Sequence, residues 1–102
     1  MSLESFFQDE AKVTAWGNFT ERQIRLRIKL SVAAYAYEME NDEIMPDSEF
    51  DMKCLEVVKG AKTGNKKLDD FFRNNFDPST GQWINKHPEL GKIKAIYHKY
   101  YK

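Results

Sequence analysis

The sequence predicts an all-α domain of four to five short helices around a central helical hairpin. Three observations lead there. No segment sustains the strict apolar–polar alternation of a half-buried strand. Apolar residues recur instead at spacings of three and four, most continuously between Thr20 and Asn41. Clusters of turn formers punctuate the chain at Gly17-Asn18, Asn41-Asp42 with Pro46, Lys62-Thr63-Gly64-Asn65 and Asp77-Pro78-Ser79-Thr80-Gly81. A length of 102 residues supplies one domain and one modest core. Its expected divisions are an N-terminal arm or short helix over 1–19, the helical hairpin over 20–60, and C-terminal helices over 65–102.

Residues 3–16 can form a short first helix, with Leu3, Phe6, Phe7, Ala11 and Val13 as its apolar points. Thr20 and Gln23 have the spacing of a capping box, which places the start of the next helix. Two adjoining stripes follow: Ile24, Ile28, Val32, Tyr35 and Met39, and then Leu26, Leu30, Ala33 and Tyr37. So wide an apolar face predicts the central, best-buried helix, ending near Asn41-Asp42. Asp47 or Ser48 is expected to cap a further helix ending near Gly60, with Glu49 and Asp51 in its first turn, where the helix dipole favours them. Phe50, Cys54, Leu55 and Val58 would face inward. This helix should pack antiparallel on the central one, burying Ile28, Val32, Tyr35 and Leu55. Lys66–Phe76 reads as a helix with Leu68, Phe71, Phe72 and Phe76 on its apolar side. A last helix starts around Pro88, a favoured first helical position, and carries Leu90, Ile93, Ile96, Tyr97 and Tyr100.

Several functional classes lose support at once. The longest apolar run, residues 32–37, is far short of the roughly 20 residues of a membrane span. The N-terminus lacks the basic start and apolar stretch of a signal peptide, so a soluble cytoplasmic protein without membrane attachment is expected. One cysteine allows no internal disulfide, and Cys54 with His87 and His98 makes a poor zinc set. Cys54 falls on the inner side of a helix, which favours a structural thiol over a nucleophile. His87 is read as an N-cap, His98 as solvated, Asp69-Asp70 as a solvated helix face, and Gly60, Gly64 and Gly81 as isolated turn glycines. No catalytic constellation emerges.

Formal charge cancels over the chain, yet residues 1–51 hold five Lys/Arg against eleven Asp/Glu and residues 52–102 the reverse. The acidic run comprises Glu38, Glu40, Asp42, Glu43, Asp47, Glu49 and Asp51. The basic end runs through Lys86, Lys92, Lys94, Lys99 and Lys102, interleaved with Tyr97, Tyr100 and Tyr101. Such dipolar character orients a chain on a charged partner or pairs its own ends. One candidate surface is therefore the C-terminal helix, as a nucleic-acid or protein adaptor in which Lys92 and Lys99 share a face and Tyr101 is exposed.

The most informative stretch is Tyr35–Asp51. Tyr35-x-Tyr37 ends one helix, and Pro46-Asp47-Ser48-Glu49-Phe50-Asp51 opens the next. This arrangement resembles the Ia domain at the N-terminus of bacterial NAD-dependent DNA ligases, well over about 25 residues and loosely from Ile24 to Val58. Thr80-Gly81-Gln82-Trp83-Ile84 has no counterpart there. The resemblance implies a helical domain that folds over the nicotinamide mononucleotide half of NAD, with rings facing the pyridinium and carboxylates holding the ribose and cationic ring. Carried over, the implied cofactor-binding residues are Tyr37, Glu38, Asp47, Phe50 and Asp51, with Phe50 in place of the usual tyrosine and Glu38 where histidine or tyrosine is common. The physics is sound: a cationic heteroaromatic is drawn to a ring face, and carboxylates bond hydroxyls strongly. The plainer reading stands beside it: Asp47 as a helix cap, Asp51 as first-turn charge, Tyr37 and Phe50 as core. The Lys-x-Asp-Gly motif that forms the adenylate in those ligases is absent. The resemblance thus implies a non-catalytic, stand-alone relative of an accessory domain, of the kind expected in a bacteriophage or prophage. Its expected partner is a nicotinamide nucleotide or a host or phage protein.

Overall fold

The computed structural model describes residues 19–101. The expected helix over 3–16 and Lys102 lie outside these residues. Four α-helices and one short 3-10 helix follow in order: α1 (Phe19–Glu40), α2 (Asp47–Glu56), α3 (Lys66–Asn74), the 3-10 helix (Gln82–Lys86) and α4 (Leu90–Tyr100). Among the described residues there is no strand, and no helix is long and apolar enough to cross a membrane.

α1 is the axis of the fold. Residues 30–36 are all buried, so this part of the helix is surrounded on every side. Its broadest contact is with α4, followed by the 3-10 helix and then α2. Leu30, Val32 and Ala36 have no exposed surface and meet Phe72, Phe76, Trp83, Ile84, Ile93 and Tyr97 in one core. Phe71, Phe72, Phe76 and Trp83 form a connected group of tilted and edge-on rings with centroids 5.1–6.1 Å apart.

α1 and α2 form an antiparallel hairpin. Gln23, near the start of α1, donates to the Glu56 carbonyl and accepts from the Val58 N–H, both beyond the middle of α2. At the other end Tyr37 and Asp47 line the same cleft. Gln23 is therefore a bridge to α2 rather than the second half of a capping box. Two expected core residues are outside. Leu55 is 76% exposed and Val58 is 45% exposed, because Cys54 and Phe50, four residues apart, take the inner face of α2. Leu55 is turned about 100° from Cys54. Ile28 is half-buried at the core's edge, whereas Val32 and Tyr35 are buried as expected.

The segment between α2 and α3 is held to α1 by side chains. Arg27, buried on α1, donates from Nη2 to the Ala61 carbonyl at 3.0 Å and from Nη1 to Asp69 Oδ1 at 2.6 Å. Thr63 binds the same carboxylate through its N–H and its hydroxyl. Asp69 is therefore no solvated helix-face residue; only Asp70 of that pair is, bridging Lys66 and Arg73 on the surface. At the far end Tyr97 of α4 donates to Asp42 Oδ2 at 2.8 Å, tying α4 to the turn after α1. That bond, together with burial, pushes the Tyr97 phenol up to about 12.

Candidate functional site

Where α1 ends and α2 begins, the hairpin opens into a cleft of about 300 Å³. Four short segments build it. The last turns of α1 contribute Ala33, Ala34, Tyr37 and Glu38; the connection contributes Glu43, Ile44 and Met45; α2 contributes Asp47, Phe50 and Asp51; Thr80, Gly81 and Gln82 close the opposite side. All five residues singled out in the sequence, Tyr37, Glu38, Asp47, Phe50 and Asp51, line this single cleft.

Local geometry explains the convergence. Asp47 and Asp51 stand four residues apart and share one face of α2. Phe50 packs half-buried against the core beside them. Tyr37 is 58% exposed, so its ring belongs to the cleft and not to the core. Asp47 is not the cap of α2 either: the N-cap position is Pro46, without a side-chain hydrogen bond, and Asp47 is the first helical residue. Neither Asp47 nor Asp51 makes a side-chain hydrogen bond or ion pair with another described residue. Asp47 thus keeps the charge role of a first helical turn but not the cap, and Tyr37 is not a core residue.

Charge in the cleft has one sign. Among the described residues Glu38, Glu43, Asp47 and Asp51 line it, and no Lys or Arg does. The negative C-terminal end of α1 and the positive N-terminal end of α2 both meet here, so the two dipoles offset and the four carboxylates set the sign. Cations are favoured here, and two rings, Tyr37 and Phe50, offer them π faces. Gly81 lets the far wall come close. A methyl group placed on it would lie 3.5 Å from Ala34 Cβ and 3.6 Å from Phe50 Cζ.

The Thr80–Gln82 wall escaped the sequence reading, since nothing local to that turn signals a long-range contact with α1 and α2. Other candidate residues take structural places. Cys54 is buried, and burial first, then the charges of Asp51 and Asp77, push its thiol up to about 12; it is no nucleophile at neutral pH. His87 is buried against Phe71 and Phe72 and accepts the Glu89 N–H on Nδ1, so it follows the 3-10 helix instead of capping α4. Among the described residues no group of three or more His, Cys, Asp or Glu could hold a metal ion. On the basic helix, Tyr97 is buried, and Tyr101, read as exposed, is half-buried and stacks on Tyr97. Lys92 pairs with Glu89, and Lys99 lies over the Tyr100 ring at 5.3 Å. The aromatic members of that end thus serve packing.

Comparison with protein-family models, curated proteins and solved structures finds no match for the chain.

Proposed function

We propose that the protein is a non-catalytic binding module that takes a nicotinamide nucleotide, nicotinamide mononucleotide or NAD, by its cationic end in the α1–α2 cleft. The observation that carries this reading is the gathering of Tyr37, Glu38, Asp47, Phe50 and Asp51 in one concave surface, with Asp47 and Asp51 carboxylates that pair with no other described residue. The pyridinium would lie against Tyr37 and Phe50. The ribose hydroxyls would donate to Asp47 and Asp51. With no base among the described residues that line the cleft, the phosphate would point to solvent. The likeness of this stretch to the ligase Ia domain supports the same ligand, and the missing Lys-x-Asp-Gly motif supports a role without ligation chemistry.

Calorimetric titration with nicotinamide mononucleotide tests the reading. Binding by the wild-type protein should disappear in Asp47→Asn and Asp51→Asn, with helical circular dichroism retained. At 100 times the dissociation constant, ligand should add about 2.7 kcal/mol of stability. Absence of heat at millimolar nucleotide would reject nucleotide binding. Capture of a cationic peptide by the same cleft, lost in the same variants, would place a protein partner there.

A further inference from the structure

A polar row runs along α1: Gln23, Arg27 and Ser31 follow at four-residue steps, and all three are buried. The first two hold the segment over 56–63. Ser31, 1% exposed, has no partner for its hydroxyl, and Arg27, 3% exposed, has none for its Nε–H. Buried polar groups without partners are uncommon and costly.

Both side chains line a second cavity, of about 260 Å³, which shares no residue with the cleft. Its walls are mainly Ile24, Ile28, Leu68, Phe72, Ile93 and Ile96. His87 lines it too. Its Nδ1 accepts the Glu89 N–H at 3.0 Å, and burial lowers the imidazole to about 4, so the neutral ring carries its proton on Nε2. That N–H has no hydrogen-bond acceptor among the described residues. The acceptors in the wall are engaged: Thr63 with Asp69 and Arg27, Asn65 with the Leu68 N–H, Glu89 with Lys92. The cavity therefore has apolar walls and an excess of donors.

We propose that this cavity binds a small apolar molecule bearing one carboxylate. The hydrocarbon part lies among the isoleucines and Phe72, and the carboxylate accepts from the Ser31 hydroxyl, the Arg27 Nε–H and the His87 Nε2–H. A carboxylate has about four lone-pair sites for these three donors. The Arg27 charge is already paired with Asp69, so the selection comes from the donor count. Three donors suit a carboxylate better than a neutral carbonyl with two lone pairs, and an apolar chamber with a few polar groups is the usual form of a small-molecule site.

Isoleucine-methyl NMR of the full chain, titrated with benzoate, hexanoate, benzylamine and toluene, tests this. Both carboxylates should shift the Ile24, Ile28, Ile93 and Ile96 methyls saturably, and benzylamine should not. Ser31→Ala should weaken benzoate binding about tenfold without lowering the melting temperature, because the hydroxyl it removes has no partner. Equal binding of toluene and benzoate would reduce the cavity to an apolar void and overturn the proposal. So would the absence of saturable shifts at millimolar carboxylate, or unchanged benzoate affinity in Ser31→Ala. Contacts from residues 1–18 filling the cavity would overturn it as well.

Discussion

Arg27 Nη1 lies 2.6 Å from Asp69 Oδ1, joining α1 to α3 across 42 residues of chain, and the two side chains are 4% and 15% exposed. The guanidinium also lies over the Phe72 ring at 4.8 Å, so the pair rests on the aromatic core. Burial alone would raise the Asp69 carboxyl. The bonds from Thr63 and Arg27 outweigh it and leave Asp69 lowered to about 2.

Removing either charge should strand the other. Asp69→Asn is expected to cost about 3 kcal/mol and to speed amide exchange of Thr63, whose N–H donates to that carboxylate. Denaturant unfolding with hydrogen exchange checks both. An unchanged midpoint would show that the pair adds nothing to stability.

Acid should lower the stability of the fold in two stages. The native His87 titrates near 4 while an unfolded histidine titrates near 6.5, so the unfolded chain takes its proton first. Stability is then complete above about pH 6.5 and is lost as pH falls toward 4. Asp69 acts lower: its contribution is present above about pH 4 and is lost as pH falls toward 2. Chemical denaturation from pH 7 to pH 3 should show uptake of about one proton on unfolding in the first window. His87→Gln, if it folds, should abolish that uptake.

Core and surface substitutions should separate sharply. Leu30→Ala and Ile84→Ala, both at positions without exposed surface, are expected to cost about 2–5 kcal/mol. Leu55→Ala, on the outer face of α2, should change stability by less than about 0.5 kcal/mol. Urea midpoints of the three variants decide it.

That contrast also marks how far the sequence could be read. The periodicity of α1, α3 and α4 and the break around Pro46 were legible, because each amphipathic pattern runs through several turns. Leu55 was misplaced because α2 has only ten residues, and over so short a helix two inner faces fit the pattern equally well. Trp83 and Ile84 fill the centre from a five-residue 3-10 helix, too short to show any period. Gln23, Arg27 and Ser31 were hidden for the opposite reason: a polar row on a helix reads as its wet side unless its partners are known. The five cleft residues were singled out by the resemblance of Tyr35–Asp51 to the ligase Ia domain, and the α1–α2 hairpin places them along one cleft. Their far wall, 30 residues later in the chain, depends on the complete fold.

Gly81 gives a fourth prediction. Its backbone, with φ −99° and ψ 1°, suits any residue, and the space for one methyl group is ordinary contact distance. Gly81→Ala should therefore stay within about 0.5 kcal/mol of wild type. Gly81→Leu should fill the cleft and abolish nucleotide binding while the protein stays folded, as calorimetry and circular dichroism would report.

Asn41 leaves α1 with φ of +52°, and the following Asp42 N–H donates back to the Ala36 carbonyl at 2.9 Å. Asparagine tolerates this left-handed turn, glycine adopts it freely, and a β-branched residue resists it. Asn41 does not line the cleft, yet the direction it imposes carries the chain straight into Glu43, Ile44 and Met45. The mouth of the cleft is thus steered from outside. A change such as Asn41→Val would tilt that lip relative to Phe50 while every lining side chain kept its identity, so selection could retune what this surface accepts through one backbone angle.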